Sequence, residues 1–284
     1  LDEHRAQRTI IRLIADFVLE HPDVPLLWAI ASRPEPHICD TFDEETVAAA
    51  HRKQYIPANS KESCRDVERF LRASLERIQK DFPRTVPKKW PSEEQFASLA
   101  AAASGLFVFA DTAIRFIEDP RYAYPTMRLS RVLSALHGLT PISHDQPFAS
   151  LDALYTNILG SIPSDIWSTT KRVLGALLYA QGTGARYALR KLGAISRVLG
   201  LDLSTVYASV NGCYSLLNTS DPEDADRKPT TFYHASFGDY LLDSARSGKF
   251  YISVQEAEDD LLQSSLNIWQ DFQTKCPPVP GKLK

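Results

Sequence analysis

From residue 60 onward, apolar residues return at helical spacing in segment after segment, and proline or glycine closes each one. Val67, Phe70, Leu71, Leu75 and Ile78 share one face of a helix that must stop before Pro83. Ser92 and Gln95 stand at capping-box spacing and open the next helix. Residues 91–118 read as two helices meeting at Ser104-Gly105, and Pro120 and Pro125 mark the loop after them. A short helix over 126–137 ends at Gly138. Further helices are expected over 151–161, 165–180, 187–199 and 204–217, the last two joined by a short turn at 200–203. Ser253 with Glu256 opens a final helix, and a proline-rich tail begins at Pro277. The expected fold class is mainly α.

Two stretches depart from that pattern. A helical stripe of Ile10, Leu13, Ile14, Phe17 and Val18 ends before His21-Pro22, and the apolar run 26–31 follows it. Its length and continuous apolarity suit a strand buried on both faces, closed near Arg33 by Pro34 and Pro36. A helix feeding a buried strand is a fragment of a parallel α/β layer. The second departure is Thr230 to Tyr233, a β-like stretch after the helix pair 187–217 and a polar loop at 218–229. Helix, turn, helix, loop and short strand in that order suggest a winged-helix unit.

The stretch 138–150 gathers Gly138, Pro141 and Pro147 and reads as a linker and domain boundary. The expected organisation is therefore a sheet remnant over 1–58, a helical subdomain over 59–140, a winged-helix domain over 148–253, and a terminal helix and tail over 254–284. Charge and hydropathy narrow the surroundings. A net charge of −3 argues against a dominant nucleic-acid or membrane-surface role, and no apolar stretch approaches the roughly 18 residues that span a bilayer. Cys39, Cys64, Cys213 and Cys276 form no CxxC pair, so reduced thiols in a cytoplasmic chain are expected.

A self-contained catalytic centre is not legible. A phosphate loop needs glycine and lysine at fixed spacing so that backbone N–H groups and the ammonium surround the phosphates together. Ser247-Gly248-Lys249-Phe250 lacks both the upstream glycine and the following Ser or Thr. Gly182-Thr183-Gly184 has no strand before it and reads as a helix-ending turn. The seven histidines show no HExxH spacing, and no Ser or Cys sits in a GxSxG context. DNA binding is also not expected, because the second helix of the pair, over 204–217, carries no Lys or Arg. The basic cluster Arg186, Arg190, Lys191 and Arg197 precedes it. Arg33 is the one positional candidate, since ligands of open α/β sheets sit beyond the carboxyl ends of strands and a guanidinium grips phosphate with a planar fork.

Four segments carry a resemblance: ASRPEPHI at 31–38, GLFVFADTAIRFIEDPR at 105–121, PFASLDALYTNIL at 147–159, and FYHASFGDYLLDSARSGKFYI at 232–252. Together, and in this order, they resemble the fungal NACHT-type signalling NTPases of the STAND class, relatives of NLR immune receptors. The resemblance implies that Asp2 and Glu3 are the tail of a Walker B motif, with Glu3 managing the attacking water. It implies that Arg33 is a sensor for the terminal phosphate. Gly105 opens the segment that packs near adenine, although Phe107 stands where those relatives have proline. His234 of Tyr233-His234-Ala235 matches the histidine that contacts the ADP phosphates in the resting state; Ala235 replaces that motif's Asp.

The implied function is an ATP/ADP-dependent switch that homo-oligomerises on activation, in self/non-self recognition or programmed cell death. ATP, ADP and Mg²⁺ would bind only with an upstream half carrying the phosphate loop and the main Mg²⁺ ligand. This chain alone is then not catalytic. The alternative is a nucleotide-independent helical scaffold for protein–protein contacts.

Overall fold

The computed structural model of the chain describes residues 3–33, 35–54, 60–137, 148–181 and 184–275. Chain contacts divide it into two compact units, Leu1–Ile56 and Pro57–Lys284. Both are helical, and the described residues contain a single two-stranded sheet.

The first unit holds α1 (Glu3–Glu20), α2 (Pro36–Phe42) and α3 (Glu45–Ala48). Its core is small: Ile11, Ala15, Ile38 and Val47, with Phe42 and Ala50 packed against them. Arg12 forks onto Glu44 at 2.9 and 2.6 Å, but both groups are exposed, so the pair adds little stability. The expected strand is not formed. Residues 25–33 are irregular and Leu27 is 96% exposed. A strand needs a neighbour to take up its N–H and C=O groups, and no described segment pairs with this one. The stripe of α1 is likewise only partly used, since Ile10, Leu13 and Phe17 face outward.

The second unit begins with α4 (Lys61–Asp81), α5 (Glu93–Ala103), α6 (Phe107–Ile117) and α7 (Pro125–Leu136). The Ser60 hydroxyl accepts from the Ser63 N–H and starts α4, which buries Val67, Leu71, Leu75 and Ile78. The capping box of α5 is reciprocal: Ser92 Oγ accepts from Gln95 N at 3.2 Å, and Gln95 Oε1 accepts from Ser92 N at 3.1 Å. Ser104 (φ +44°) and Gly105 (φ +80°) are both left-handed, which breaks the helix and lets α6 leave in a new direction. Of the linker expected at 138–150, residues 138–147 lie outside the described residues, while Ala149 and Ser150 are already helical; the residues from Cys276 also lie outside the described ones.

Then follow α8 (Ala149–Gly160), α9 (Ser164–Tyr179), α10 (Leu192–Leu199) and α11 (Leu203–Val210). Between α10 and α11, Gly200 (φ +64°) closes a Schellman turn, with Leu201 N donating to Ser196 O and Gly200 N to Arg197 O. Two expected helices are shorter than the spacing suggests. Residues 184–190 form a 3-10 turn instead of the start of α10. There the Arg190 side chain donates to the carbonyls of Ala180 and Gln181, and the Arg190 carbonyl accepts from Thr230 N, so neither group supports a helix. α11 stops at Val210, before Gly212 lies so close to Ile162 that an added Cβ would come within 2.6 Å of it.

β1 (Leu217–Asn218) and β2 (Thr231–Phe232) pair antiparallel, Leu217 opposite Phe232 and Asn218 opposite Thr231. The chain closes with α12 (Ala235–Leu242), α13 (Ser244–Ser247) and α14 (Val254–Lys275). One apolar core runs from Val67 through α8 and α9 to Leu261, so α4–α7 and α8–α14 share an interior.

α14 lies against α9 at Gly175, where a Cβ would meet that of Ala257 at 2.9 Å. Arg172 beside it reaches Asp260 at 2.8 Å and Ser264 at 3.0 Å. Gly175→Leu is expected to lower unfolding free energy by about 1–3 kcal/mol in urea melts through overpacking. Gly160→Ala, where a Cβ meets nothing nearer than 4.0 Å, is the control and should not show that loss.

Candidate functional site

The junction of β2 and α12 carries the densest polar arrangement around a residue expected to act. His234 is exposed, in extended conformation, and N-caps α12: its Nδ1 accepts from Ser236 N at 3.1 Å and lies 2.7 Å from Ser236 Oγ. Ser236 Oγ is in turn 2.8 Å from the buried Tyr155 hydroxyl on α8. Burial pushes the Tyr155 phenol up to about 12, and hydrogen bonds with Ser236 and Thr112 pull the other way. The chain of contacts thus runs from α6 through α8 to the start of α12.

Tyr233 is held from the same side. The Arg115 guanidinium of α6 stacks over its ring at 3.8 Å, and Asp111 fixes that guanidinium at 2.8 Å. The helix that follows Gly105 therefore contacts the Tyr-His-Ala segment directly. Beneath it, Phe237 lies 5.1 Å from Tyr155 and 5.5 Å from Phe232 between ring centroids.

A recess of about 270 Å³ opens beside β2, lined by Arg190, Thr230, Phe232 and Ala235 among others. That is just under the volume of about 300–1,000 Å³ usual for a small-molecule site. The Arg190 guanidinium there is already donating to Ala180 and Gln181.

The remaining site candidates are placed as follows. Asp2 lies outside the described residues, and Glu3 is the first residue of α1. Arg33 is exposed in the irregular segment, not at a strand's end, so the positional reason for its choice does not hold. Gly105 is buried at the left-handed turn between α5 and α6. Phe107 is half-exposed and meets Phe70 edge-on at 5.9 Å. Arg115, Tyr155 and Ser236 were not singled out by spacing, because their partners lie in distant parts of the chain. The sequence signal for Ser236 is a serine two residues after His234, the usual reach of a local cap.

No protein-family profile, curated protein or solved structure matches the chain.

Proposed function

We propose that this chain is the carboxyl-terminal part of an ATP/ADP-dependent switch of the NACHT-type STAND class. In this reading residues 1–58 belong to the nucleotide-binding core, 59–140 to a helical subdomain, and 148–253 to a winged-helix domain. The observation that carries it is the placement of His234: exposed, two residues after the second strand of the ladder, with Tyr233 beside it stacked under Arg115 and its partner Ser236 bonded to Tyr155. A histidine so held can donate from Nε2 to a diphosphate while Nδ1 stays engaged with Ser236. Exchange of ADP for ATP would change that contact and bias the unit between two states. Arg33 would read the terminal phosphate and Glu3 would serve the attacking water, both with an upstream phosphate loop and Mg²⁺. The exposed apolar residues Leu26, Leu27, Trp28 and Ile30 are consistent with a strand that pairs only in a complete sheet.

The test is nucleotide affinity in the parent protein, with Arg33→Ala, His234→Ala and His234→Ser. His234→Ala also removes an N-cap, which costs about 1 kcal/mol by itself, whereas serine keeps a cap and removes only the imidazole. Weakened ADP binding in His234→Ser supports the switch. Unchanged ADP and ATP affinity in all three variants overturns it. The chain by itself should show no ATP turnover above background; turnover abolished by Glu3→Gln would contradict this.

The second reading, a nucleotide-independent helical scaffold, is favoured by α14. Its outer part exposes Leu262, Leu266, Trp269 and Phe272, an apolar face suited to another protein surface. Unchanged nucleotide affinity together with partner loss on Trp269→Ala would select it.

A further inference from the structure

The first unit brings together three side chains that no motif spacing links. His4 lies on the first turn of α1, Glu35 precedes α2, and His37 lies on its first turn. One ligand atom from each falls within 4.8 Å of the others. His4 Nδ1 is 2.9 Å from His37 Nδ1 and 3.0 Å from His37 Nε2, and Glu35 Oε2 is 3.6 Å from His37 Nδ1. The His37 side chain is only 10% exposed, so its orientation is fixed by packing.

Gln7 supplies the decisive detail. Its Oε1 lies 2.5 Å from His37 Nε2, and a carboxamide oxygen can only accept, so His37 Nε2 carries the proton. His37 Nδ1 then bears a lone pair, with the Glu35 carboxylate 3.6 Å from that nitrogen. A hydrogen-bond acceptor on one imidazole nitrogen and a lone pair on the other is the arrangement of a metal-ligating histidine. Zn–N bonds of about 2.0–2.1 Å space tetrahedral ligand atoms about 3.3 Å apart, between the His4 and Glu35 distances found here. His4 is exposed, and its side chain has to turn from the His37 ring for an ion to enter.

We propose that His4, Glu35 and His37 bind a divalent transition-metal ion of the zinc class. Two imidazoles and one carboxylate select zinc and its neighbours over magnesium or calcium, which take oxygen ligands. Three protein ligands leave the fourth position to water or a substrate oxygen, the open form of such a site. The ion would also tie the start of α1 to the start of α2, 30 residues and more apart in sequence. The site stands independently of the nucleotide switch, and neither ATP nor Mg²⁺ is needed to test it.

The experiment is calorimetric titration of the tag-free chain with Zn²⁺, with circular dichroism to check that each variant folds. One equivalent is expected to bind with a dissociation constant of about 10 μM or tighter. His37→Ala and Glu35→Gln should each weaken it at least about tenfold, and Gln7→Ala by about tenfold through lost orientation. Cys39→Ser, two residues beyond His37, should leave it unchanged, and Co²⁺ should give the visible bands of a four-coordinate site. No binding up to about 1 mM Zn²⁺ overturns the proposal. So does binding that survives both His37→Ala and Glu35→Gln.

Discussion

Asp119→Ala is expected to destabilise the second unit by about 3–5 kcal/mol, as breaking a buried ion pair does. Asp119 is 2% exposed and faces two arginines. Arg121 donates from its backbone N–H and Nε to Oδ1 at 3.1 and 2.8 Å, and from Nη2 to Oδ2 at 2.7 Å. Arg128 Nη2 lies 3.5 Å from Oδ2, with Arg128 itself 5% exposed between the Phe116 and Tyr122 rings. Burial pulls the Arg128 guanidinium down from its ordinary value, and the Asp119 carboxylate pushes back. Removing that carboxylate leaves a buried cation beside the Phe116 carbonyl and two aromatic faces, with Arg121 and Arg131 repelling it.

The same residue reaches further than its own loop. Arg121, held by Asp119, donates from Nη1 to the Asn211 carbonyl at 2.6 Å and stacks over Tyr214 at 4.2 Å. Asp119 thus clamps the turn after α6 to the turn after α11. Chemical denaturation of Asp119→Ala measures the loss, and the double variant Asp119→Ala/Arg128→Met separates its cause. If the cost is an unpaired buried charge, methionine at 128 recovers part of it. A single-variant loss under about 1 kcal/mol, the range of an exposed pair such as Arg12–Glu44, would show that the cation regains water.

The helices of the second unit were legible because their causes are local. Ser92 and Gln95 state a capping box in four residues, and Ser104-Gly105 and Gly200 state where the backbone must turn. The two-stranded ladder was half legible: Thr230 to Tyr233 read as β, but its partner Leu217–Asn218 straddled the end of the helix expected over 204–217 and the start of the polar loop at 218–229. That helix stops at Val210 and passes into a 3-10 turn over 211–213, where Gly212 comes close to Ile162, a contact across 50 residues that no local window contains. The run at 26–31 failed in the opposite sense. Its composition asks for a buried strand, but a strand is a property of two segments, and the described residues offer it no second one. The contacts around His234 were likewise invisible, since Arg115 meets Tyr233 and Tyr155 meets Ser236 only after three helices have packed. Asp119 and Arg121 sat in view within a proline-bounded loop. Nothing in sequence distinguishes a buried loop carboxylate from a solvated one.

Phe237→Ala is the second large loss, expected at about 3–5 kcal/mol by lost transfer energy and the cavity left behind. The side chain is 1% exposed and packs among Tyr155, Phe232 and Tyr240. Collapse around the gap is hindered, because Tyr155 is tethered to Ser236 and Tyr240 to Thr156, each at 2.8 Å. Filling the space by moving either ring would break a buried or part-buried hydrogen bond, so the cost should sit at the upper end. Phe237→Leu, which keeps most of the volume, should cost roughly 1 kcal/mol. The two variants also separate local from global effects. Because α4–α14 share one core, Phe237→Ala should lower the unfolding midpoint seen by every probe of the second unit alike. An alternative outcome, in which only amides of β2 and α12 lose exchange protection, would make the junction a separate low-stability element. In the first case a ligand on His234, as proposed, would act on the whole unit through Phe237 and Tyr155. In the second such a ligand would move the β2–α12 corner alone, and the proposed switch would be confined to that corner.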